Sequence, residues 1–301
     1  MSLLQEPVVV TGPRGRLGRA LLASLADHAI DSVGVGRPDY DLDDPDAGRR
    51  LVEARRPGLV FHAAAWTDVD ECARQPELAM RRNAVAVAEL ARACATAGVR
   101  LVLMSTNEVF DGERTDGLGY LEDDPPQPIN PYGASKLAGE RAALAEFARA
   151  DATDRLWIVR TAWLFGAPGN DFPAKIIAAA SQLAAGQPLR VVNDEIGTPT
   201  YTVDFAPALI SLVAGAPAGV YHLVGAGIAS RYEVAAEVVG RCVPGAALTP
   251  ISRREFNRAS VAPQWAVLDA SRASSFGVTL PNWRPAISSY LGVLCPAGRP
   301  S

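Results

Sequence analysis

Lysine is nearly absent from this chain. Of its 29 lysine and arginine residues, only Lys136 and Lys175 are lysine. The other basic residues are all arginine, which, with the abundant alanine, glycine and proline, indicates a biased codon usage. A lysine that persists under such a bias calls for a functional reason, so Lys136 and Lys175 are the first candidates for a specific role.

Cysteine and histidine are also scarce. No two cysteines have the spacing of metal ligands, so we expect scattered free thiols in a reducing compartment. The histidines are isolated from one another, and no metal site is predicted. The cysteines are Cys72, Cys94, Cys242 and Cys295, and the histidines are His28, His62 and His222.

Charge runs and long apolar runs are missing as well. The net charge is −4, and no basic stretch suits a nucleic acid or a membrane face. The longest small-apolar stretch, residues 176–185, is too short to span a bilayer. The start has no charged region followed by an apolar one, so a cytoplasmic protein is predicted.

Strand and helix patterns alternate five times along the first half of the chain. The strand runs are nearly continuous in apolar residues, which is typical of a parallel sheet covered by helices on both faces. The predicted strands are 7–11, 31–36, 59–65, 100–106 and 156–164, and the predicted helices are 17–25, 45–56, 76–97 (ended by Gly98) and 132–147. The fold class is therefore α/β, a Rossmann-type doubly wound parallel sheet.

The pattern loosens after residue 166, where proline and glycine become frequent. We expect residues 1–165 to form a dinucleotide-binding domain. Residues 166–301 are expected to form mainly a smaller, interleaved substrate lobe, with segments near 189–224 returning to the first domain. The predicted elements there are helices near 172–185, 202–214 and 230–241 and strands near 189–192 and 219–224.

A glycine-rich loop, GPRGRLG at 12–18, joins the first strand to the first helix. Glycine lets the backbone turn tightly and approach a pyrophosphate, and the helix that follows offers free N–H groups to the phosphates. The position between strand and helix favours dinucleotide binding over a purely structural turn. The predicted cofactor-binding residues of this loop are Gly12, Arg14, Gly15, Arg16, Leu17 and Gly18.

Arg37 follows the second strand, where a carboxylate would bind the ribose 2′-hydroxyl of NAD. An arginine at this position suits the 2′-phosphate of NADP instead. The sequence therefore favours NADPH. NADH stays open as the alternative, with Arg37 then a solvated surface residue.

Tyr132 and Lys136 are four residues apart at the start of a predicted helix, so they share one face. A phenol has an ordinary pKa of about 10. A nearby ammonium is expected to lower that value and make the phenol a useful acid–base group. With 7 tyrosines and two lysines in 301 residues, chance predicts about 0.05 such pairs. A surface helix with an aromatic residue near its cap is the alternative interpretation.

Thr106 supplies a third candidate, at the carboxyl end of the fourth predicted strand. Ligands bind at this edge of open α/β sheets. A hydroxyl group there can hydrogen-bond a substrate carbonyl oxygen and stabilise the developing alkoxide.

Taken together, these motifs resemble the extended short-chain dehydrogenase/reductase superfamily and, within it, the dTDP-4-dehydrorhamnose reductase family. The resemblance runs nearly end to end, and the blocks at 160–166 and 194–206 are specific to the reductase branch. The matching segments are GPRGRLG (12–18), HAAAWTDVDECA (62–73), NA (83–84), STNEVFDG (105–112), PINPYGASKLAGE (128–140), RTAWLFG (160–166), NDF (170–172), DEIGTPTYTVDFA (194–206), GVYHLVG (219–225) and VLDASRASSFGV (267–278).

The resemblance implies a role for each catalytic candidate. Tyr132 would protonate the C4 oxygen, Lys136 would tune Tyr132 and bind the cofactor ribose, and Thr106 would hold the sugar carbonyl. NADPH would deliver hydride to C4 of dTDP-4-dehydro-6-deoxy-L-mannose, giving dTDP-L-rhamnose.

The resemblance also implies binding residues and a partner. Ala63, Ala64 and Ala65 would line the cofactor. Trp163 would pack on the sugar, unless it is simply a core tryptophan, and Asn170 is expected to be a further substrate-binding residue. The partner would be a nucleotide sugar, and a homodimer is compatible with the resemblance.

Three departures from the family pattern lie around the expected sugar site. Asn107 and Glu108 stand where the family usually has Asp and Tyr, and Ala262 stands where it tends to have Arg. Asn107 keeps hydrogen-bonding capacity without the charge, and Glu108 puts an acid in place of an aromatic ring. Arg258 is a candidate to compensate for the missing arginine.

These departures leave several functions open. One alternative is a 4-ketoreductase for another dTDP-deoxysugar. Another is a non-catalytic, NADP-binding regulatory homologue resembling the methionine adenosyltransferase β subunit. An epimerase or dehydratase is the third. A dehydratase is expected to carry extra acids beside the catalytic threonine, and Glu108 is such an acid, although its neighbour Asn107 is not.

Overall fold

The computed structural model describes residues 7–184 and 186–296. The outer limits of the two predicted regions (residues 1 and 301) and Ala185, the end of one predicted helix, lie outside this description. The strands are β1 (Val8–Thr11), β2 (Ser32–Val35), β3 (Leu59–His62), β4 (Arg100–Thr106), β5 (Leu156–Thr161), β6 (Leu164–Phe165), β7 (Leu189–Val192), β8 (Ile196–Gly197), β9 (Thr200–Tyr201), β10 (Gly219–His222), β11 (Ala229–Ser230) and β12 (Leu248–Ile251).

Helices follow most of these strands. The α-helices are α1 (Arg16–Asp27), α2 (Ala47–Arg55), α3 (Val69–Arg74), α4 (Pro76–Met80), α5 (Ala86–Ala97), α6 (Pro131–Arg149), α7 (Phe172–Gln182), α8 (Thr202–Gly215), α9 (Arg231–Cys242), α10 (Ser271–Ser274) and α11 (Trp283–Leu294). Short 3₁₀ segments lie at Asn107–Val109, Thr153–Arg155 and Arg253–Glu255. Within the described ranges no helix is long and apolar enough to cross a membrane.

Six parallel strands form the main sheet in the order β10-β5-β4-β3-β1-β2. All residues of β1, β3 and β5 are buried, which explains their continuous apolar runs. The predicted fold class is confirmed. The chain switches direction across the sheet between β1 and β3, the position at which open α/β sheets bind ligands.

Both faces of this sheet are covered. On one face α1 packs against α8, and Leu21, Leu25 and Phe205 are fully enclosed. On the other face α2, α5 and α6 pack together around Leu90 and Phe147. Because both faces are sealed, ligands have access to the sheet only along its edges.

The helix predicted over residues 76–97 contains a π-helical segment, Arg81–Val85, between α4 and α5. This segment turns the side chain of Asn83 inward. Its Nδ2 donates to the Trp66 carbonyl (2.9 Å) and to Ser135 Oγ (3.1 Å), and its Oδ1 accepts from Trp66 N (2.9 Å). Gly98, at φ +70°, ends the helix as predicted.

The rest of the chain builds a second core around α7, α9 and α11. Three two-stranded sheets, β7/β12, β8/β11 and β6/β9, surround it. Strand β10 pairs with β5 in the main sheet, and helix α8 covers one face of that sheet. Strand β7 lies outside the main sheet, where it pairs with β12.

A disulfide joins Cys242 to Cys295, so the expectation of free thiols is wrong for these two residues. Helices α9 and α11 pack with their carboxyl ends together, which brings the two Cα atoms to 5.6 Å. Cys72 and Cys94 are free and buried.

Candidate active site

The glycine loop holds the start of α1 against the ends of β1 and β2. Gly12 has φ +69°, and its N–H donates to the Val35 carbonyl at 3.2 Å. A side chain at Gly18 would collide with the Gly12 carbonyl oxygen, so only glycine allows this approach. Gly15 begins α1 without a side-chain cap, and the first turn has no acidic residue. The first N–H groups of α1 are therefore available to an anion.

A cavity of about 300 Å³ opens over this loop. Seven of the predicted cofactor residues line it: Gly12, Arg14, Gly15, Arg37, Ala63, Ala64 and Ala65. The three alanines lie beyond the end of β3, in the loop that follows it, and not in the strand as predicted. Sequence reasoning missed other lining residues, among them Tyr40, Asp41, Leu42, Trp66 and Arg82.

The arginines of this cavity differ in their partners. Arg82 forms an ion pair with Asp43 (2.6 Å) and lies over the Trp66 ring. Arg14 donates to the Arg37 carbonyl at 3.2 Å, which places the two residues side by side. Within the described ranges neither Arg14 nor Arg37 has a carboxylate partner, so both can attract a phosphate. The cavity, the loop and these charges fit a phosphorylated dinucleotide.

Arg16 and Leu17 point away from the cavity. Arg16 Nε donates to the Gly166 carbonyl (3.3 Å) and Nη2 donates to Asn170 Oδ1 (2.8 Å). Leu17 is part of the main core. The structure thus uses Arg16 and Asn170 to tie the first turn of α1 to the turn before α7.

Thr106, Tyr132 and Lys136 converge at the carboxyl end of β4. Asn130 caps α6 by accepting a hydrogen bond from Gly133 N at 2.8 Å, which sets Tyr132 in the first turn. A side chain at Gly133 would collide with the Glu108 carbonyl oxygen, so α6 starts directly on the segment after β4. The Thr106 side chain favours the ionised form of the nearby Tyr132 hydroxyl, and Thr106 Oγ1 itself donates to Asn107 Oδ1 at 3.2 Å.

The electrostatics of this group differ from the expectation. Burial raises the pKa of Tyr132, the nearby Glu108 carboxylate raises it further, and the Thr106 side chain opposes the change. Lys136 Nζ donates to the Met104 carbonyl at 2.7 Å. The predicted lowering of the Tyr132 pKa by Lys136 is therefore wrong for this structure, and the phenol is held protonated.

Lys136 itself is 4% exposed, and burial lowers its pKa to about 8, partly opposed by Glu140. Glu140 lies one turn further along α6 and forms a buried ion pair with Arg160 of β5 (2.7 Å). Ser105 donates a hydrogen bond to the same carboxylate. This network fixes the lysine-bearing face of α6 against β4 and β5.

The side chains of Asn107 and Glu108 contact different parts of the protein. Asn107 is 4% exposed, and its Nδ2 donates to the Ala266 carbonyl at 3.3 Å, so it binds the protein interior. Glu108 lies beside Tyr132, and its Oε2 accepts from Asn130 Nδ2 at 2.6 Å. Burial raises the pKa of Glu108, while this hydrogen bond and the charges of Arg258 and Arg231 oppose the shift.

Trp163 separates β5 from β6 because its backbone has φ +44°. The guanidinium carbon of Arg231 lies 3.5 Å from the centroid of its ring, and a side chain at Gly197 would strike the same ring. The indole is thus enclosed by Arg231 and Gly197. A sugar in this region would meet Arg231 before it met the face of the indole.

Arg231, Glu195 and Arg258 form a charged cluster that sequence reasoning did not assemble. Glu195 lies 3.7 Å from Arg231 and 3.9 Å from Arg258, and Arg258 also pairs with Asp70 at 3.3 Å. Arg231 is the first residue of α9, a position at which sequence alone suggests a surface helix residue. Arg258 belongs to this cluster, in the loop that precedes Ala262.

A second cavity, of about 420 Å³, contains none of the predicted site residues. It lies between the loop after β10 and residues 267–280, and Thr198 and Asp269 are among its lining residues. In the described part of the chain no group of three or more His, Cys, Asp or Glu residues could hold a metal ion.

A doubly wound sheet, a glycine loop between its first strand and first helix, and a Thr–Tyr–Lys group at its edge define an extended short-chain dehydrogenase/reductase. Residues 6–294 match the family model described as the RmlD substrate binding domain. The chain belongs to the dTDP-4-dehydrorhamnose reductase family, a family of oxidoreductases.

Three relatives illustrate this membership. A dTDP-4-dehydrorhamnose reductase of Streptomyces griseus is 38% identical over 97% of this chain and 95% of its own length. A dTDP-4-keto-6-deoxy-D-glucose reductase of Streptomyces niveus is 34% identical over 95% of this chain and 96% of its own length. The crystal structure of dTDP-4-dehydrorhamnose reductase from Bacillus anthracis in complex with NADP is 30% identical, covers 95% of this chain and 98% of its own, and has a TM-score of 0.86.

Proposed function

We propose that the protein reduces the C4 keto group of a dTDP-linked 6-deoxysugar with NADPH, converting dTDP-4-dehydro-L-rhamnose to dTDP-L-rhamnose. The convergence of Thr106, Tyr132 and Lys136 at the sheet edge beside the glycine-loop cavity carries this proposal. Residues 1–165 would then bind mainly the cofactor, and residues 166–301 mainly the sugar nucleotide.

Thr106 and Tyr132 bind and protonate the ketone in this proposal. The substrate carbonyl oxygen accepts hydrogen bonds from both hydroxyl groups, which stabilise the charge that develops on it. Tyr132 donates its proton to that oxygen as the alcohol forms. The bound nicotinamide cofactor supplies the hydride. Lys136 holds the cofactor ribose through its ammonium donors.

Arg14 and Arg37 support NADPH as the preferred cofactor. Their guanidinium groups flank the cavity without carboxylate partners in the described ranges, and a 2′-phosphate would provide one. The first turn of α1 binds the pyrophosphate. NADH would lack the group that these two arginines are placed to recognise.

A second candidate substrate is another dTDP-4-keto-6-deoxysugar. The departures at Asn107, Glu108 and Ala262 favour it, and Glu108 lies near the charge of Arg258. The Streptomyces niveus relative is named for such a sugar.

The test is turnover with defined substrates. The purified protein is incubated with NADPH or NADH and with dTDP-4-dehydro-L-rhamnose or dTDP-4-keto-6-deoxy-D-glucose, and loss of the reduced cofactor is followed together with the sugar product by NMR. We expect the rhamnose precursor and NADPH to give the highest kcat/KM. Turnover of the glucose isomer alone would establish the second candidate. Tight NADPH binding without turnover of either sugar would overturn both and favour a regulatory homologue.

A further inference from the structure

Glu108 is an acid that the reduction proposed above does not use. Its backbone N–H donates to Thr106 Oγ1 at 3.2 Å, and its carboxylate is close enough to Tyr132 to raise the pKa of the phenol. Asn130, which caps the first turn of α6, also donates to the Glu108 carboxylate, so the carboxyl group lies beside the turn that carries Tyr132. Any ligand whose carbonyl oxygen lies between Thr106 and Tyr132 presents its neighbouring carbons to this region.

The carboxyl group of Glu108 is only partly engaged. Asn130 Nδ2 donates to Oε2, and in the described part of the chain no side chain or backbone group donates to Oε1. The charged groups facing it are Arg231, Arg258 and Glu195, together with the Tyr132 hydroxyl and the Cys72 thiol. Burial raises the pKa of Glu108, which makes its carboxylate a stronger base than an exposed one.

A base in this position has a defined chemical use. Hydrogens on the carbons that flank a ketone are acidic because the carbanion is delocalised onto the carbonyl oxygen. Hydrogen bonds that stabilise an alkoxide during reduction stabilise an enolate equally well. Thr106 and Tyr132 would therefore support proton removal from a flanking carbon as well as hydride addition to the carbonyl.

We propose that Glu108 is a second acid–base residue of this site, and that it exchanges the proton on a carbon next to the C4 ketone of the bound sugar. The C–H bond breaks, its proton passes to a Glu108 oxygen, and its electron pair forms the enolate, which Tyr132 protonates. The reverse step returns a proton to carbon. No oxidant or reductant is consumed. This inference rests on the proposed function, because it requires a 4-keto sugar as the ligand.

Deuterium uptake tests the inference separately from reduction. The protein is incubated in D₂O with NADP⁺, which cannot donate hydride, and with dTDP-4-keto-6-deoxy-D-glucose or dTDP-4-dehydro-L-rhamnose. Deuterium at C3 and C5 is followed by NMR and mass spectrometry, with an enzyme-free sample as the baseline. We expect uptake at one of these carbons at least tenfold above the baseline.

Variants assign the uptake to a residue. Glu108→Gln keeps the shape and loses the base, and we expect its exchange to fall about 100-fold or more, with the ratio of exchange to reduction falling at least tenfold. Glu108→Asp keeps a carboxylate and is expected to exchange faster than the Gln variant. Glu255→Gln, which removes an exposed carboxylate paired with Arg190 away from this site, is the control and is expected to leave that ratio unchanged.

The outcomes separate cleanly. Reduction without exchange above the baseline overturns the inference and leaves the proposed function standing. Equal exchange by the wild type and Glu108→Gln overturns the assignment to Glu108. Absence of reduction with either sugar and NADPH is a failure of the proposed function itself. Retained NADPH binding by each variant shows that the site is folded.

Discussion

The guanidinium of Arg231 stacks on the indole of Trp163, with 3.5 Å between the guanidinium carbon and the ring centroid. Such a contact is favourable when it is shielded from water. Arg231 also faces Glu195 at 3.7 Å, and burial lowers its pKa to about 10. Arg231, and not the indole face, is therefore the surface that this part of the site presents.

Replacing Arg231 tests whether it contacts the sugar nucleotide. We expect Arg231→Ala to raise KM for the nucleotide sugar roughly tenfold, equivalent to about 1.4 kcal/mol, and to leave KM for NADPH nearly unchanged. The control is Arg284→Ala, because Arg284 covers Trp283 in the same way, at 4.4 Å, on an exposed helix start. Steady-state kinetics with each substrate varied in turn measures both values. Parallel changes in the two variants would contradict a role for Arg231.

Tyr132 is expected to be the proton donor. Tyr132→Phe removes the hydroxyl and keeps the ring, so kcat should fall by roughly 10²–10⁴. The dissociation constant for NADPH, measured by fluorescence titration, should change less than threefold, roughly the scale of a minor contact. Near-normal turnover in this variant would show that another group donates the proton.

Loss of the Lys136 proton is expected to cause the fall in activity at alkaline pH. Its pKa is lowered to about 8, so the ammonium is present below that pH and is lost above it. The value of kcat/KM should fall as pH rises through about 8, and in Lys136→Arg the remaining activity should keep its level to higher pH, since arginine stays charged. An unchanged alkaline limb in Lys136→Arg would assign it to another group.

The same shift has a consequence for stability with a definite sign. The folded protein releases the Lys136 proton near pH 8, whereas the unfolded chain keeps it up to the ordinary value of 10.5. Burying the charged lysine therefore costs stability below pH 8. That cost disappears between pH 8 and 10.5, so this group makes the free energy of unfolding rise with pH across that window. Denaturant titrations of the wild type and of Lys136→Met, compared at the two ends of the window, measure the difference.

Arg37 is expected to set the cofactor preference. Arg37→Asp places a negative charge where a 2′-phosphate would bind, so the ratio of kcat/KM for NADPH to that for NADH should fall at least tenfold, about 1.4 kcal/mol. The exposed Arg190, paired with Glu255 away from the cavity, supplies the control Arg190→Asp. An unchanged ratio in Arg37→Asp would remove Arg37 from the phosphate site.

The disulfide between Cys242 and Cys295 is expected to stabilise the second core. It closes a loop across a sequence separation of 53 residues, and loops of this order contribute roughly 2–4 kcal/mol by limiting the unfolded chain. A thiol reductant should therefore lower the free energy of unfolding of the wild type in a denaturant titration. Cys242→Ser should start from the lower value and show no response to the reductant. A response of equal size in the variant would contradict the assignment.

Local patterns predicted the main sheet well, because buried parallel strands leave a recognisable run of apolar residues, as in β4. Gly98 was identifiable for a similar reason: a left-handed helix end selects glycine. The π-helical turn around Asn83 was missed, since one extra residue in a helical turn leaves the apolar pattern nearly unchanged. Its buried asparagine is evident only from its contacts with Trp66 and Ser135.

The electrostatic part of the site was the least predictable. Four-residue spacing places Tyr132 and Lys136 on one helix face, but the direction of each pKa shift depends on burial and on Glu108, Thr106 and Glu140. The Arg231–Trp163 contact joins residues far apart in the sequence. The disulfide depends in the same way on the packing of α9 against α11. Such pairs have no local pattern, so only the folded chain reveals them.

The shortage of lysine gives the molecule an unusual analytical property. Lys175 is exposed, whereas Lys136 is 4% exposed and donates to the Met104 carbonyl of β4. An amine-acylating reagent therefore meets two side chains of very different accessibility, and intact-mass spectrometry can resolve the slower from the faster. The slower acylation would be assigned to Lys136 by peptide mapping. Its rate would then report cofactor occupancy at a single site without any introduced label.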